Sequence, residues 1–260
     1  LKPSERDPSA ALFVAQLLNE AGLPKGVLNV VNGGKEAVDT LLTDERVQAV
    51  SFVGSTAIAK YIYKTASEND KRCQALGGAK NHAIVMQDAE MENTVNALIG
   101  AAFGSSGERC MAISVVVAVG SETADNLIAG LKSKMNDLKV GNFDNSKNDF
   151  GPLITKDHME KVKGYITSAE AQGADIVVDG RSVNVKGCEN GFYVGGTLID
   201  CVEASMESYQ NEIFGPVLQV VRVETMQQAI DLIDEHEYGN GTCIFTRDGE
   251  AARYFSDQIK

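Results

Sequence analysis

Val47-Gln48-Ala49-Val50-Ser51-Phe52-Val53-Gly54-Ser55-Thr56 is the stretch whose reading decides the fold. Its apolar run, 47–52, has the length and β-branched content of a buried strand, and it passes without a break into Gly-Ser-Thr. Such a junction opens a helix, here expected through about residue 66. Working outward, residues 8–22 read as a helix that Asp7 caps and Pro8 begins, with Ala11, Leu12, Ala15 and Leu18 as its apolar stripe. Gly22 and Pro24 stop it, 27–31 reads as a short strand closed by Asn32-Gly33-Gly34, and 36–43 reads as a second helix. Helix, strand, helix, strand, helix is the rhythm of a doubly wound parallel sheet, so the fold class is α/β.

The rhythm continues downstream. Residues 72–80 carry a glycine-rich turn, Leu76-Gly77-Gly78-Ala79-Lys80. Strands are expected at 82–86, 114–119, 175–178, 192–198, 217–223 and 242–245, and helices at 92–103, 122–138, 156–172, 226–236 and 250–259. Polar connections fill 140–151 and 181–191, and no repeat, low-complexity tract or linker interrupts the chain. The change of domain is expected at the glycine turn, giving 1–77 and 78–260.

Composition narrows the function classes. The chain has 260 residues, 43% hydrophobic and 23% charged, and a formal net charge of −12. That is globular composition without a basic run, which argues against nucleic acid and anionic membrane as partners. No apolar stretch reaches the ~18–20 residues of a transmembrane helix. Five cysteines stand far apart with no C-x-x-C, and three histidines make no ligand spacing, so reduced thiols and no metal site are expected. The chain opens Leu1-Lys2-Pro3-Ser4 without an initiator Met, which reads as an internal fragment of a longer protein.

Two stretches carry chemistry. Phe103-Gly104-Ser105-Ser106-Gly107-Glu108-Arg109-Cys110 delivers a thiol to the start of an apolar strand through small residues. An arginine beside a thiol favours the thiolate and offers an anchor for a substrate anion. Against this stands the ordinary fate of a free cysteine, which is burial. Gly54-Ser55-Thr56 presents backbone N–H groups at a helix start, which suits a pyrophosphate, although an isolated Gly-Ser-Thr is more often a plain cap. No G-x-G-x-x-G is present.

Taken in order, Lys2-Pro3-Ser4-Glu5, Phe52-Val53-Gly54-Ser55-Thr56, the glycine turn before Lys80-Asn81, Gly107-Glu108-Arg109-Cys110 and Glu212-Ile213-Phe214-Gly215-Pro216-Val217 resemble the aldehyde dehydrogenase superfamily over the whole chain. The resemblance implies a partial Rossmann-like cofactor domain followed by an α/β catalytic domain. It implies that Lys2 and Glu5 contact the adenosine ribose of NAD, that Ser55 meets the pyrophosphate, and that Phe52 shapes the nearby cleft. Glu212 would hold the nicotinamide ribose, Phe214 would pack at the nicotinamide, and Cys110 would be the nucleophile. An acidic residue at a ribose leans to NAD over NADP. The family's oxyanion asparagine falls upstream of Leu1.

One departure carries weight. Family members commonly read E-L-G-G-K where this chain reads Leu76-Gly77-Gly78-Ala79-Lys80. Their glutamate activates the water that hydrolyses the acyl-enzyme. Leu76 stands there, or Ala75 if the glycines are aligned, and neither takes a proton. A nucleophile without a hydrolytic base leaves a long-lived thioester, for which the thiol of coenzyme A is the natural acceptor. With Gly78-Ala79-Lys80-Asn81-His82 and Arg109-Cys110-Met111, the chain resembles the acylating branch of the superfamily that handles methylmalonate and malonate semialdehydes in valine and pyrimidine breakdown. That branch releases carbon dioxide and gives propionyl- or acetyl-coenzyme A. Arg109 would clamp the substrate carboxylate, the alternative being a surface ion pair with Glu108. A homo-oligomeric parent, dimer or tetramer, and a bacterial cytoplasmic or mitochondrial matrix location follow from the same resemblance. The competing readings are a hydrolytic relative using another base, and a piece of the fold without activity. Lys80 is expected to be structural or to help shape the cofactor cleft, His82 a packed histidine, and Cys73, Cys188, Cys201 and Cys243 buried or half-buried.

Overall fold

The computed structural model describes residues 1–260, which divide into two compact units, Leu1–Gly78 and Ala79–Lys260. The first unit holds α1 (Ser9–Glu20), α2 (Lys35–Thr43), β1 (Ala49–Val53), α3 (Thr56–Glu68) and β2 (Arg72–Leu76). β1 and β2 pair in parallel, from Ala49 opposite Arg72 to Val53 opposite Leu76. A parallel pair needs a crossover, and α3 supplies it. Ile62 and Ala66 of α3 meet Leu42 of α2 over Val50, Phe52, Cys73 and Ala75 of the strands.

Three sequence expectations fail in this unit. Residues 27–31 form no strand: Val27 N–H closes a turn onto Pro24 O, Val31 N–H reaches only Leu1 O, and both side chains are exposed. An apolar run becomes a strand only when it pairs along a ladder, and residues 27–31 do not join the two-stranded sheet of this unit. Conversely, residues 72–76, read as part of a glycine turn, are strand β2, because β1 gives the alternating Cys73 and Ala75 a face to cover. Asp7 does not cap α1, whose N-cap is Pro8 without a side-chain bond.

The second unit is one six-stranded sheet with helices on both faces. Its strands are β3 (Asn81–Val85), β4 (Ile113–Val119), β5 (Asp175–Val178), β6 (Thr197–Asp200), β7 (Val217–Val223) and β8 (Thr242–Phe245). They stand in the order β5-β6-β7-β4-β3-β8, all parallel except β5 against β6. The helices are α4 (Met91–Phe103), α5 (Ser121–Met135), α6 (Lys156–Ala171), the short α7 (Glu207–Gln210), α8 (Met226–Asp234) and α9 (Gly249–Gln258). The 192–198 strand lies further along, at Thr197–Asp200, and α7 has no counterpart in the sequence reading.

The central strands are buried on both faces, as a parallel sheet requires. Val116 and Ala118 of β4 and Leu218 and Val220 of β7 face Val95, Leu98, Leu127 and Leu131 of α4 and α5. Val115, Val117 and Val119 of β4 face the other way, with Val162, Ile166, Ile230 and Phe255 of α6, α8 and α9 in their layer. The alternation of strand side chains therefore splits one apolar run between two cores. No helix is long and apolar enough to cross a membrane.

Candidate active site

The nucleophile candidate is placed by the connection from α4 to β4. A 3₁₀ turn, Gly104–Gly107, follows α4, with Ser105, Ser106 and Gly107 in succession at φ of 52°, 58° and 70°. Three residues in the left-handed region form a tight reversal that needs support. Ser106 Oγ donates to Gly151 O at 2.7 Å. Gly107 is required as glycine, since a Cβ there would overlap the Gly215 carbonyl. Cys110 then emerges exposed at the leading end of β4, so the apolar-core reading of this thiol does not hold.

Two side-chain amides hold the backbone of this turn. Asn81, buried at the start of β3, donates from Nδ2 to Cys110 O and to Ala112 O, both at 2.8 Å. Its Oδ1 accepts from Gly241 N–H at 2.9 Å, so only one orientation of the amide satisfies all three contacts. Asn240 Nδ2 also donates to Cys110 O at 2.8 Å.

Arg109 and Cys110 line one cleft together with Ala79, Asn81, Glu212 and Phe214. The Arg109 guanidinium lies across Gly104, and its Nε donates weakly to Ser105 Oγ at 3.3 Å. Glu108 does not pair with it. The Glu108 carboxylate turns to Ile154 N–H at 3.4 Å and His158 Nε2 at 3.7 Å. Burial pushes the Glu108 carboxyl above the usual carboxylate range, opposed by His158 and the Ile154 amide.

Glu212 sits on the loop before β7. Its Oε1 accepts from Ala79 N–H at 3.0 Å, leaving the second oxygen for another donor. Phe214 stands in the left-handed region at φ 57°, and its carbonyl accepts from His158 Nε2 at 2.7 Å. Beneath the loop, the buried Lys80 donates from Nζ to Ser208 O at 2.7 Å and Asn211 O at 2.8 Å. Burial lowers the Lys80 amine to about 7, with Glu212 pulling upward. A neutral amine still has two N–H bonds for these two carbonyls, so Lys80 is a tie for the Glu212 loop. His82 donates from Nδ1 to Lys80 O at 2.9 Å, which leaves Nε2 to accept from Tyr209 Oη–H at 3.0 Å. Burial first, then His236, lowers the His82 ring to about 3, in keeping with this neutral tautomer.

In the first unit, Lys2 Nζ is spent largely on backbone, donating to Pro3 O at 2.5 Å and Gly33 O at 2.8 Å, with Glu5 Oε2 at 3.5 Å. Glu5 is exposed. Ser55 is the N-cap of α3, yet its hydroxyl makes no cap bond and is exposed. Phe52 packs its ring under Gly54, where a Cβ would strike it. Leu76 ends β2 half-exposed, 50% accessible, and supplies no acid–base group at its position.

Sequence reasoning missed Asn240, His158 and the tie made by Lys80. Asn81 lies 29 residues before the Cys110 carbonyl it holds and Asn240 lies 130 residues after it, and no spacing rule joins either pair. One thiol corrects an expectation: Cys201 is exposed, at φ 55°, because it lies just past the end of β6. No group of three or more His, Cys, Asp or Glu is gathered to hold a metal ion.

Comparisons with known proteins bear on this geometry. Residues 1–260 match the family model described as "Aldehyde dehydrogenase family". A malonate-semialdehyde dehydrogenase of Pseudomonas aeruginosa is 61% identical over 260 residues, covering 100% of this chain and 52% of its own length. The crystal structure of a methylmalonate-semialdehyde dehydrogenase from Oceanimonas doudoroffii superposes with a TM-score of 0.97 at 73% identity, covering 100% of this chain and 53% of that one. A Sinorhizobium meliloti protein solved in complex with NAD matches at 54% identity and a TM-score of 0.96, again over 100% of this chain and 53% of its own. The chain thus spans about half the length of these relatives.

Proposed function

The chain belongs to the aldehyde dehydrogenase family, and from that premise we propose that the protein oxidises methylmalonate and malonate semialdehydes with NAD and hands the acyl group to coenzyme A. The observation that carries the reading is the pairing of an exposed thiol, Cys110, with the adjacent Arg109, unpaired with any carboxylate, in one cleft. The relatives named as malonate- and methylmalonate-semialdehyde dehydrogenases support the substrate class.

The thiolate of Cys110 adds to the aldehyde carbon, forming a C–S bond and an alkoxide. Backbone N–H groups at the turn help hold that oxygen. Arg109 takes the substrate carboxylate with charge-assisted hydrogen bonds, which fixes the aldehyde carbon over the sulfur. Acceptance of the hydride from this carbon is the chemistry that NAD would supply when bound. The product is a malonyl-type thioester of Cys110. Cleavage of its C–COO⁻ bond releases carbon dioxide, and the electron pair left on the carbon takes one proton from water. The thiolate of coenzyme A then attacks the thioester carbonyl, the Cys110 C–S bond breaks, and the thiolate is regenerated.

The chain's residues fit the cofactor. The free hydroxyl of Ser55 and the N-terminus of α3 suit a pyrophosphate. Glu5 is accessible for ribose hydroxyls, Lys2 lies beside it, and Phe52 draws the Gly54 backbone close. In the second unit, the unengaged oxygen of Glu212 suits the nicotinamide ribose, and Phe214 suits the nicotinamide ring. Coenzyme A as acceptor rests on the absence of a carboxylate at Leu76 and Ala75, and on Glu108 being turned to Ile154 and His158. The first unit is then a cofactor-binding part and the second the catalytic part.

Mass spectrometry of the intact protein, quenched in acid after mixing with NAD and semialdehyde but no coenzyme A, tests the intermediate. An acyl adduct on Cys110, lost in Cys110→Ser, is the expected result. An unmodified Cys110 during turnover contradicts the reading.

A further inference from the structure

Asn240 adopts φ 108°, outside the region that side-chain-bearing residues ordinarily occupy. Such a conformation persists only where the surroundings hold it, and it marks places where strain serves a purpose. Here the purpose is visible in the side chain. Asn240 Nδ2 donates to Cys110 O at 2.8 Å and lies 3.0 Å from Met111 Sδ, across 130 residues of chain. The same carbonyl already accepts from Asn81 Nδ2 at 2.8 Å, so both of its lone pairs are engaged by amide N–H groups. The two asparagines are themselves linked, because Gly241 N–H, next to Asn240, donates to Asn81 Oδ1 at 2.9 Å.

We propose that Asn240 is a positioning residue for the nucleophile: its amide, held in a strained backbone at the start of β8, completes the double anchor on the Cys110 carbonyl that fixes the thiol for attack. The inference rests on Cys110 being the nucleophile. It adds a residue outside those that line the Cys110 cleft. With the carbonyl pinned from two sides, the Cys110–Met111 peptide plane is held, and with it the place of Cα from which Sγ projects. Asn81 alone leaves one lone pair free, and the exposed turn then samples other orientations.

A structural role and a positioning role predict opposite things for Asn240→Gly. Glycine accepts φ 108° without strain, so loss of the side chain leaves the backbone at least as stable. The lost N–H···O bond costs positioning only. The experiment measures, on the intact protein, the melting temperature, the rate of Cys110 alkylation by iodoacetamide, and kcat and KM. Alkylation of the exposed Cys201 serves as internal reference. Expected for Asn240→Gly are an unchanged or higher melting temperature, Cys110 alkylation and kcat each lowered about three- to tenfold, and KM nearly unchanged. Asn240→Asp, which retains the shape but presents an acceptor to a carbonyl, lowers both rates at least as far. Wild-type rates in both variants overturn the proposal, as does a slowing that tracks a lower melting temperature and affects Cys201 equally. Failure of wild-type Cys110 to react ahead of Cys201 refutes the nucleophile itself, a different outcome from failure of the anchor.

Discussion

Arg109 has no acidic neighbour to hold it: Glu108 has turned away, and only a 3.3 Å contact with Ser105 Oγ restrains the side chain. A guanidinium left free in a cleft with a thiol is available to a carboxylate substrate. Arg109→Lys keeps the charge but loses the planar fork, and it should raise KM for malonate semialdehyde roughly tenfold or more. An aldehyde without a carboxylate should show little change, and equal losses on both would assign Arg109 to the turn instead of the substrate. His82 gives a second prediction. Its folded value is about 3, against about 6.5 for an unfolded histidine. The unfolded chain therefore binds a proton below about 6.5 that the folded chain refuses until about 3, so stability falls as pH drops through that window. Denaturant midpoints measured from pH 7 to 4 should show a slope that His82→Phe reduces. An unaltered slope would mean His82 is not buried neutral.

The elements around the site are stiffened where two backbones approach. Gly107 combines φ 70° with a Cβ position already filled by Gly215 O, so the nucleophile turn and the Glu212 loop pack backbone to backbone. Gly107→Ala should cost more than about 2 kcal/mol in urea unfolding and sharply slow Cys110 alkylation. Near-wild-type stability would show that the two loops are not in register. Legibility in the sequence divides along the same line. Strand β8 at Thr242–Phe245 falls where the apolar run placed it, and α4, α6 and β7 lie within a residue or so of expectation, because periodicity reports local amphipathicity. Residues 27–31 and 72–76 depart from expectation in opposite senses, because strand formation depends on a neighbour that sequence does not display. Cys110, Arg109, Glu212 and Phe214, named from motifs about a hundred residues apart, line one cleft. Asn240 was not legible: its role needs a turn after α8 brought to the carbonyl of a residue 130 positions earlier. Lys80 was legible as structural, but its two carbonyl partners belong to the Glu212 loop, which only folding brings near.

At the scale of the molecule, an acidic chain of net charge −12 is arranged as two units. The second presents its thiol and its loop acid at one end of a sheet buried on both faces. That end is the amino end of the parallel strands β3, β4, β7 and β8, and the sheet gives the site a rigid support. On the proposed reading, oxidation leaves Cys110 as a thioester that waits for the thiol of coenzyme A. Steady-state turnover of malonate semialdehyde with NAD, with and without coenzyme A, tests it most directly. Expected are sustained turnover with coenzyme A and, without it, a burst of about one equivalent of reduced cofactor per Cys110 followed by a near stop. Undiminished steady-state turnover in the absence of coenzyme A would contradict that reading.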